Sequence, residues 1–273
     1  MSAIRPDPID PSTRPIGWAR CFLGIVRRDL ARFVLQRGRF FSALVRPLVW
    51  LFVFAAGFRS VLGLSIIPPY QTYVPYEVYV TPGLAAMILL FGGMQSSLSM
   101  VYDREMGSMR VLLTSPFPRW FLLVSKLVAG VVVCVVQVYV FFAVAWIWEV
   151  RAPGVGYLTV LPALILAGAM LGAIGLVLSS AIRQLENFAS VMNFVIFPMF
   201  FTSSALYPLW KVEESSPLLY RVCLANPFTH AVELIRFALH GRFEPTACAV
   251  VAGTTLVAMA IAVAAYDPAR RRA

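Results

Sequence analysis

Residues 101–127 read VYDREMGSMRVLLTSPFPRWFLLVSKL, a charged and proline-punctuated island between two long apolar runs. Asp103 suits a helix N-cap and Glu105 complements the helix dipole. Ser115-Pro116 and Pro118 stop that helix before Arg119-Trp120 opens the next, because the residue before a proline is pushed out of the α region. Met106, Arg110 and Leu113 recur at i, i+4 and i+7, with Met109 and Leu112 beside them. The spacing predicts a helix of about three turns. Two readings fit its apolar stripe: a surface covered by another protein, or a helix folded back on the bundle or the headgroups.

The flanks of the island set the class. The chain is 60% hydrophobic and 13% charged, with a mean hydropathy of +0.79. A soluble domain is roughly 45–50% apolar and about 25% charged. An all-α integral membrane protein is expected, forming one bundle. The net charge of +10 comes from Lys and Arg beside apolar segments rather than from a basic stripe with stacking aromatics. That pattern fits topology charges facing anionic lipid, and no nucleic-acid partner is expected. Cys21, Cys134, Cys223 and Cys248 show neither metal spacing nor a disulfide framework.

Upstream, residues 1–15 read as a flexible tail, and the first long apolar run starts too late for a cleaved leader. Residues 16–41 follow as a basic amphipathic helix. Trp18, Phe22, Ile25, Val26 and Phe33 share one face, with Arg20, Arg27, Arg28 and Arg32 off it and Asp29 interrupting it. Such a helix can lie in the membrane interface.

A span needs about 20 apolar residues, and six runs qualify within 42–267: 43–64, 82–101, 124–148, 158–180, 188–208 and 246–266. Helix starts are expected at Pro47, Pro82 and Pro245. Residues 268–273 form a basic tail.

Sixteen Lys and Arg fall in the N-terminal segment, the island, the 181–187 loop and the tail, against five in the other connections. Both termini are therefore expected in the cytoplasm. Arg46 and Arg59 lie near the expected ends of the first span, where snorkelling to the surface is expected. Tyr70, Tyr73, Tyr76 and Tyr79 suit an outer aromatic belt.

Chemistry is sparse. A phosphate loop requires Gly-Lys followed by Ser or Thr, but Lys126 follows Ser125 and Lys211 follows Trp210. No catalytic, cofactor or metal residue is expected. His230 and His240 lack a second ligand pair, and no nucleophile motif surrounds Ser203 or Ser204.

The central parts of the six runs hold no Asp, Glu, Lys or His, which argues against proton coupling in a secondary carrier. A carrier or channel, or a non-transporting scaffold, is the alternative reading. Gln95, Ser99, Gln137, Asn193, Phe197 and Phe201 are candidates to line a path, although hydrogen bonds between helices also account for such polar groups. An apolar, aromatic wall suits a hydrophobic or amphipathic cargo such as a drug or lipid, and aromatic stacking also admits a lipid-linked glycan. Gly168, Gly172 and Gly175 share a face suited to close helix packing within one protomer.

The island resembles the segment between the second and third spans of the type-2 export family of ATP-binding-cassette (ABC) transporter permeases. The resemblance rests on Glu105, Gly107, Ser108, Leu112, Ser115 and Pro116. Residues 226–236, NPFTHAVELIR, and 197–210, FPMFFTSSALYPLW, are similar to two further family segments, although His230 replaces a common tyrosine and Ser203-Ser204 a frequent Ser-Gly.

The resemblance implies a half-transporter in the bacterial inner membrane, pairing with a second permease copy and two ATPase subunits that hold ATP and Mg. Residues 16–41 become its interface helix. The island becomes a coupling helix, with Asp103, Arg104, Glu105, Met106, Gly107, Met109, Arg110 and Leu113 toward the ATPase. Arg183 and Glu186 become a second cytoplasmic contact. Asn226, Pro227, His230 and Arg236 belong to a pair of external re-entrant helices.

Overall fold

A computed structural model describes residues 17–35, 37–58, 69–70, 75–105, 118–182 and 184–266. These residues are mostly helical and contain no strand. In chain order the helices are α1 (Trp18–Leu35), α2 (Arg37–Phe58), α3 (Tyr76–Glu105), α4 (Arg119–Ile147), α5 (Gly156–Ala181) and α6 (Leu185–Phe201). Then come α7 (Leu209–Ser215), α8 (Pro217–Ala225), α9 (Pro227–Leu239) and α10 (Pro245–Ala265). Four of them are long and apolar enough to cross a membrane, over Tyr76–Tyr102, Trp120–Ile147, Gly156–Ala181 and Pro245–Ala265. Ala43–Val53 and Leu185–Phe201 are shorter apolar helices.

Helices α3 and α5 share the most extensive interface and stand at the centre, with α2, α4, α6, α9 and α10 around them. Glycine makes that contact close. A Cβ on Gly93 would meet the backbone N of Gly172 at 2.9 Å, and one on Gly175 would meet Ser97 Oγ at 2.5 Å. A Cβ on Gly172 would meet Leu127 Cδ1 at 2.5 Å. The glycines of α5 therefore pack against α3 and α4 inside one chain, as their spacing suggests. Small residues let backbones approach and gain dispersion contact where no hydrophobic effect operates between helices.

The amphipathic N-terminal segment forms α1, which lies along the start of α4. Trp18 stacks on Trp120 at 6.1 Å and meets Phe121 edge-on at 5.0 Å, while Arg20, Arg27 and Arg28 are exposed. Pro245 opens α10 as expected, and Pro217 and Pro227 occupy the same first-turn position in α8 and α9.

Two expected proline starts are corrected. Pro47 and Pro82 lie inside α2 and α3. At Pro82 the upstream turn persists because tertiary hydrogen bonds from Tyr76 and Tyr79 hold it in place.

Candidate functional site

Helix α6 ends at Phe201, seven residues before the apolar run does. Asn226 is the reason. Its Nδ2 donates to the carbonyls of Met199 at 2.7 Å and Thr202 at 2.8 Å. Further helical turns would have supplied those donors from the backbone. Its Oδ1 accepts from Phe228 N–H at 3.0 Å, so the same side chain caps α9. One amide thus ties the end of α6 to the start of α9.

The turn after α6 is held from three sides. Tyr76 Oη donates to the Leu206 carbonyl at 2.5 Å, and Tyr79 Oη to that of Ser204 at 3.1 Å. Arg236, only 3% exposed, donates through Nη2 to the Ser204 carbonyl at 2.7 Å. Its Nη1 is ion-paired with Glu233, and its Cζ sits 4.1 Å from the Tyr79 ring centroid. Ser203 Oγ donates to the Phe200 carbonyl at 2.6 Å, which makes it a turn former rather than a nucleophile.

His230 Nε2 lies 3.0 Å from the Leu224 carbonyl, and Pro227 opens α9. Burial lowers the pKa of His240, whose Nδ1 lies 2.9 Å from the Arg236 carbonyl. Burial pushes the Tyr70 phenol up to about 12, with the Arg236 charge opposing.

Tyr70, Tyr76 and Tyr79 are buried in this knot, which corrects the expected outer belt for those three; Tyr73 lies outside the described residues. Their spacing at the start of a span was the available signal, but it does not show which carbonyls they reach.

Removing the Asn226 amide leaves buried carbonyls without donors and a helix without its cap. Asn226→Ala is expected to destabilise the protein by about 2 kcal/mol. Asn226→Asp keeps the cap acceptor but not the donors, so it should recover only part of the loss. Thermal unfolding in detergent checks both.

The candidate path residues divide. Gln95 on α3 and Asn193, Phe197 and Phe201 on α6 are exposed, and the rings of Phe197 and Phe201 stack at 6.2 Å. Trp50 of α2 meets Phe200 and Phe201 at 5.8 and 6.1 Å. Gln137, in contrast, is buried, and Ser99 Oγ is bonded to the Ser96 carbonyl at 2.7 Å.

Arg46 is exposed and holds its guanidinium over the Phe91 ring, 4.0 Å from the centroid. Arg59 lies outside the described residues.

At the other end, Asp103, Arg104 and Glu105 form the last residues of α3, while Met106, Gly107, Met109, Arg110 and Leu113 lie outside the described residues. Arg183 does too, and Glu186 is exposed in the first turn of α6.

The chain is 29% identical over 170 residues to YbhR of Escherichia coli strain K12, named a probable multidrug ABC transporter permease. That match covers 61% of this chain and 45% of YbhR, so the chain spans about half the length of that relative. It is 25% identical over 199 residues to ycf38 of Porphyra purpurea, named as a transport permease, covering 72% of this chain and 66% of that protein. It is also 25% identical over 222 residues to ycf38 of Cyanophora paradoxa, covering 80% and 71%. The family model described as ABC-2 type transporter matches residues 20–240, and this multi-pass membrane chain belongs to that family.

Proposed function

We propose that this chain is the membrane-spanning permease subunit of an ABC exporter. It moves a hydrophobic or amphipathic substrate, such as a drug, lipid or lipid-linked glycan, out of the cytoplasm or inner leaflet. ATP hydrolysis occurs in a separate nucleotide-binding subunit that holds ATP and Mg. Two permease copies and two ATPases make the working complex in the bacterial inner membrane. In this reading α2, α3, α4, α5, α6 and α10 are six crossings, with both termini cytoplasmic. Helices α7, α8 and α9 are external and dip into the outer leaflet.

The observation that carries the mechanism is the length of α3. It runs unbroken for 30 residues, from the buried tyrosines at its start to Asp103, Arg104 and Glu105 at its end. At 1.5 Å per residue that is about 45 Å, against about 30 Å of hydrocarbon. One rigid element therefore joins the island to the knot. An ATPase that binds differently to two arrangements of the island shifts the equilibrium between two arrangements of the path. The island acts as the coupling segment, with Asp103, Arg104, Glu105, Met106, Gly107, Met109, Arg110 and Leu113 toward the ATPase and Arg183 and Glu186 as a smaller second contact.

The test is purification of the native complex in mild detergent, with the ATPase rate of the eluate measured. A P-loop ATPase should accompany the chain in a two-to-two ratio. Glu105→Lys should lower both its recovery and export several-fold while leaving membrane insertion unchanged. If the chain elutes alone and native membranes yield no ATP-dependent partner, the exporter reading is wrong.

A further inference from the structure

Arg46 stands at an unusual depth. It lies within the apolar stretch Ala43–Val53 of α2, and its guanidinium rests on Phe91. Phe91 follows Tyr76 by fifteen residues and precedes Tyr102 by eleven, at the ends of the apolar part of α3. Those separations are about 22 and 16 Å along the helix axis. The neighbouring register agrees: a Cβ on Gly92 would lie 2.4 Å from the Sγ of Cys134, itself midway along Trp120–Ile147. The guanidinium therefore lies level with the middle of the apolar part of α3, on an exposed side chain.

Among the described residues no carboxylate pairs with Arg46, and its one recorded contact is the Phe91 ring. Nor can a second copy of this chain supply one at that level. No Asp or Glu occurs in 43–58, 78–102, 120–147, 156–181, 187–201 or 245–265. A cation–π contact leaves the guanidinium's hydrogen-bond donors unused, and an ionisable group at this depth is costly unless something polar faces it.

The surroundings have the same character. Gln95 lies one turn from Phe91 on the same face of α3, is exposed, and makes no side-chain hydrogen bond among the described residues. Asn193 on the neighbouring α6 is likewise exposed and unbonded. Trp50, one turn beyond Arg46 on α2, meets Phe200 and Phe201, and Phe197 stacks beneath Phe201. A cation with an amide on α3 thus adjoins an aromatic wall, which matches an anionic head followed by an apolar body.

We propose that Arg46, with Gln95 one turn from its Phe91 contact, is the recognition point for the anionic head of an amphiphilic substrate, whose apolar portion lies along Trp50, Phe197 and Phe201. The inference rests on reading this face as the substrate path and narrows the cargo to amphiphiles carrying a phosphate or carboxylate. The planar guanidinium offers paired donors to such a group, an arrangement lysine reproduces only as a point charge.

Native mass spectrometry of the full chain in mild detergent tests it, with dioleoylphosphatidylglycerol, dioleoylphosphatidylcholine and inorganic phosphate as probes. Wild type should bind the anionic lipid about tenfold more tightly than the zwitterionic one, a difference of about 1.4 kcal/mol. Arg46→Gln should abolish that preference, Arg46→Lys should keep part of it, and Arg151→Gln, at a surface cation, should leave it intact. Inorganic phosphate should compete weakly, since it lacks the apolar body; full competition at equal concentration would overturn the amphiphile assignment.

An unchanged preference in Arg46→Gln overturns the proposal. If an ATPase co-purifies but Arg46→Gln binds both lipids like wild type, the exporter reading stands and the anion site falls. If no ATPase is found but the preference depends on Arg46, the anion site stands and the exporter reading falls.

Discussion

Glu233→Ala is expected to destabilise the protein by about 3–5 kcal/mol, because it strands the Arg236 charge inside the knot. Arg236 is 3% exposed while Glu233 is 22% exposed, so the arginine bears the greater cost of losing its partner. The Ser204 carbonyl and the Tyr79 ring would remain, but neither carries a neutralising charge. Replacing both partners tests the argument more sharply than either single change. The double variant Glu233→Ala with Arg236→Met should be more stable than Glu233→Ala alone, since a buried ion pair contributes little relative to apolar groups of similar volume. Thermal unfolding in detergent, arranged as a double-mutant cycle, reads the coupling. A loss below about 1 kcal/mol for Glu233→Ala would place that pair in the range of a solvent-screened surface contact and remove it from the knot.

Gly83→Val should be nearly as damaging, for a steric reason. A Cβ at Gly83 would lie 2.4 Å from the Ala205 carbonyl oxygen and 2.7 Å from Ala205 Cα. Both are backbone atoms of the turn after α6, which Tyr79, Arg236 and Asn226 hold in place. No flexible side chain can give way, so α3 or the turn must move. Overpacking of this kind costs about 1–3 kcal/mol, and sometimes more. Gly253→Ala is the control. Its Cβ would meet nothing within 4 Å on α10, so the substitution should be neutral or slightly stabilising through helix propensity. Equal losses at Gly83 and Gly253 would show that the close approach of α3 to the turn is absent.

Much of the architecture was legible in the chain. The apolar runs at 82–101, 124–148, 158–180 and 246–266 correspond to the four long apolar helices. The glycine spacing on α5 and the first-turn proline of α10 also read correctly. These features are local: one turn of helix or one run of side chains contains the whole signal. The motif at residues 226–236 was legible as residues but not as a device. Asn226 and Arg236 stood out by resemblance, yet their partners at Met199, Thr202, Ser204 and Tyr79 lie 24 or more residues away. The early end of α6 follows from one of those distant partners and could not be read from its own apolar run.

The sequence by itself determined that this chain is helical, membrane-spanning and basic at its expected cytoplasmic side, because hydropathy, charge and proline placement act over one helix at a time. Only the tertiary structure decided that Tyr70, Tyr76 and Tyr79 are buried rather than an outer belt, and that Arg46 lies over Phe91. Both outcomes depend on which helix lies alongside: the tyrosines find carbonyls and a guanidinium on the turn after α6 and on α9, and Arg46 finds a phenyl face on α3. A side chain's depth follows from how its helix is seated against its neighbours, which the spacing of residues along that helix does not encode.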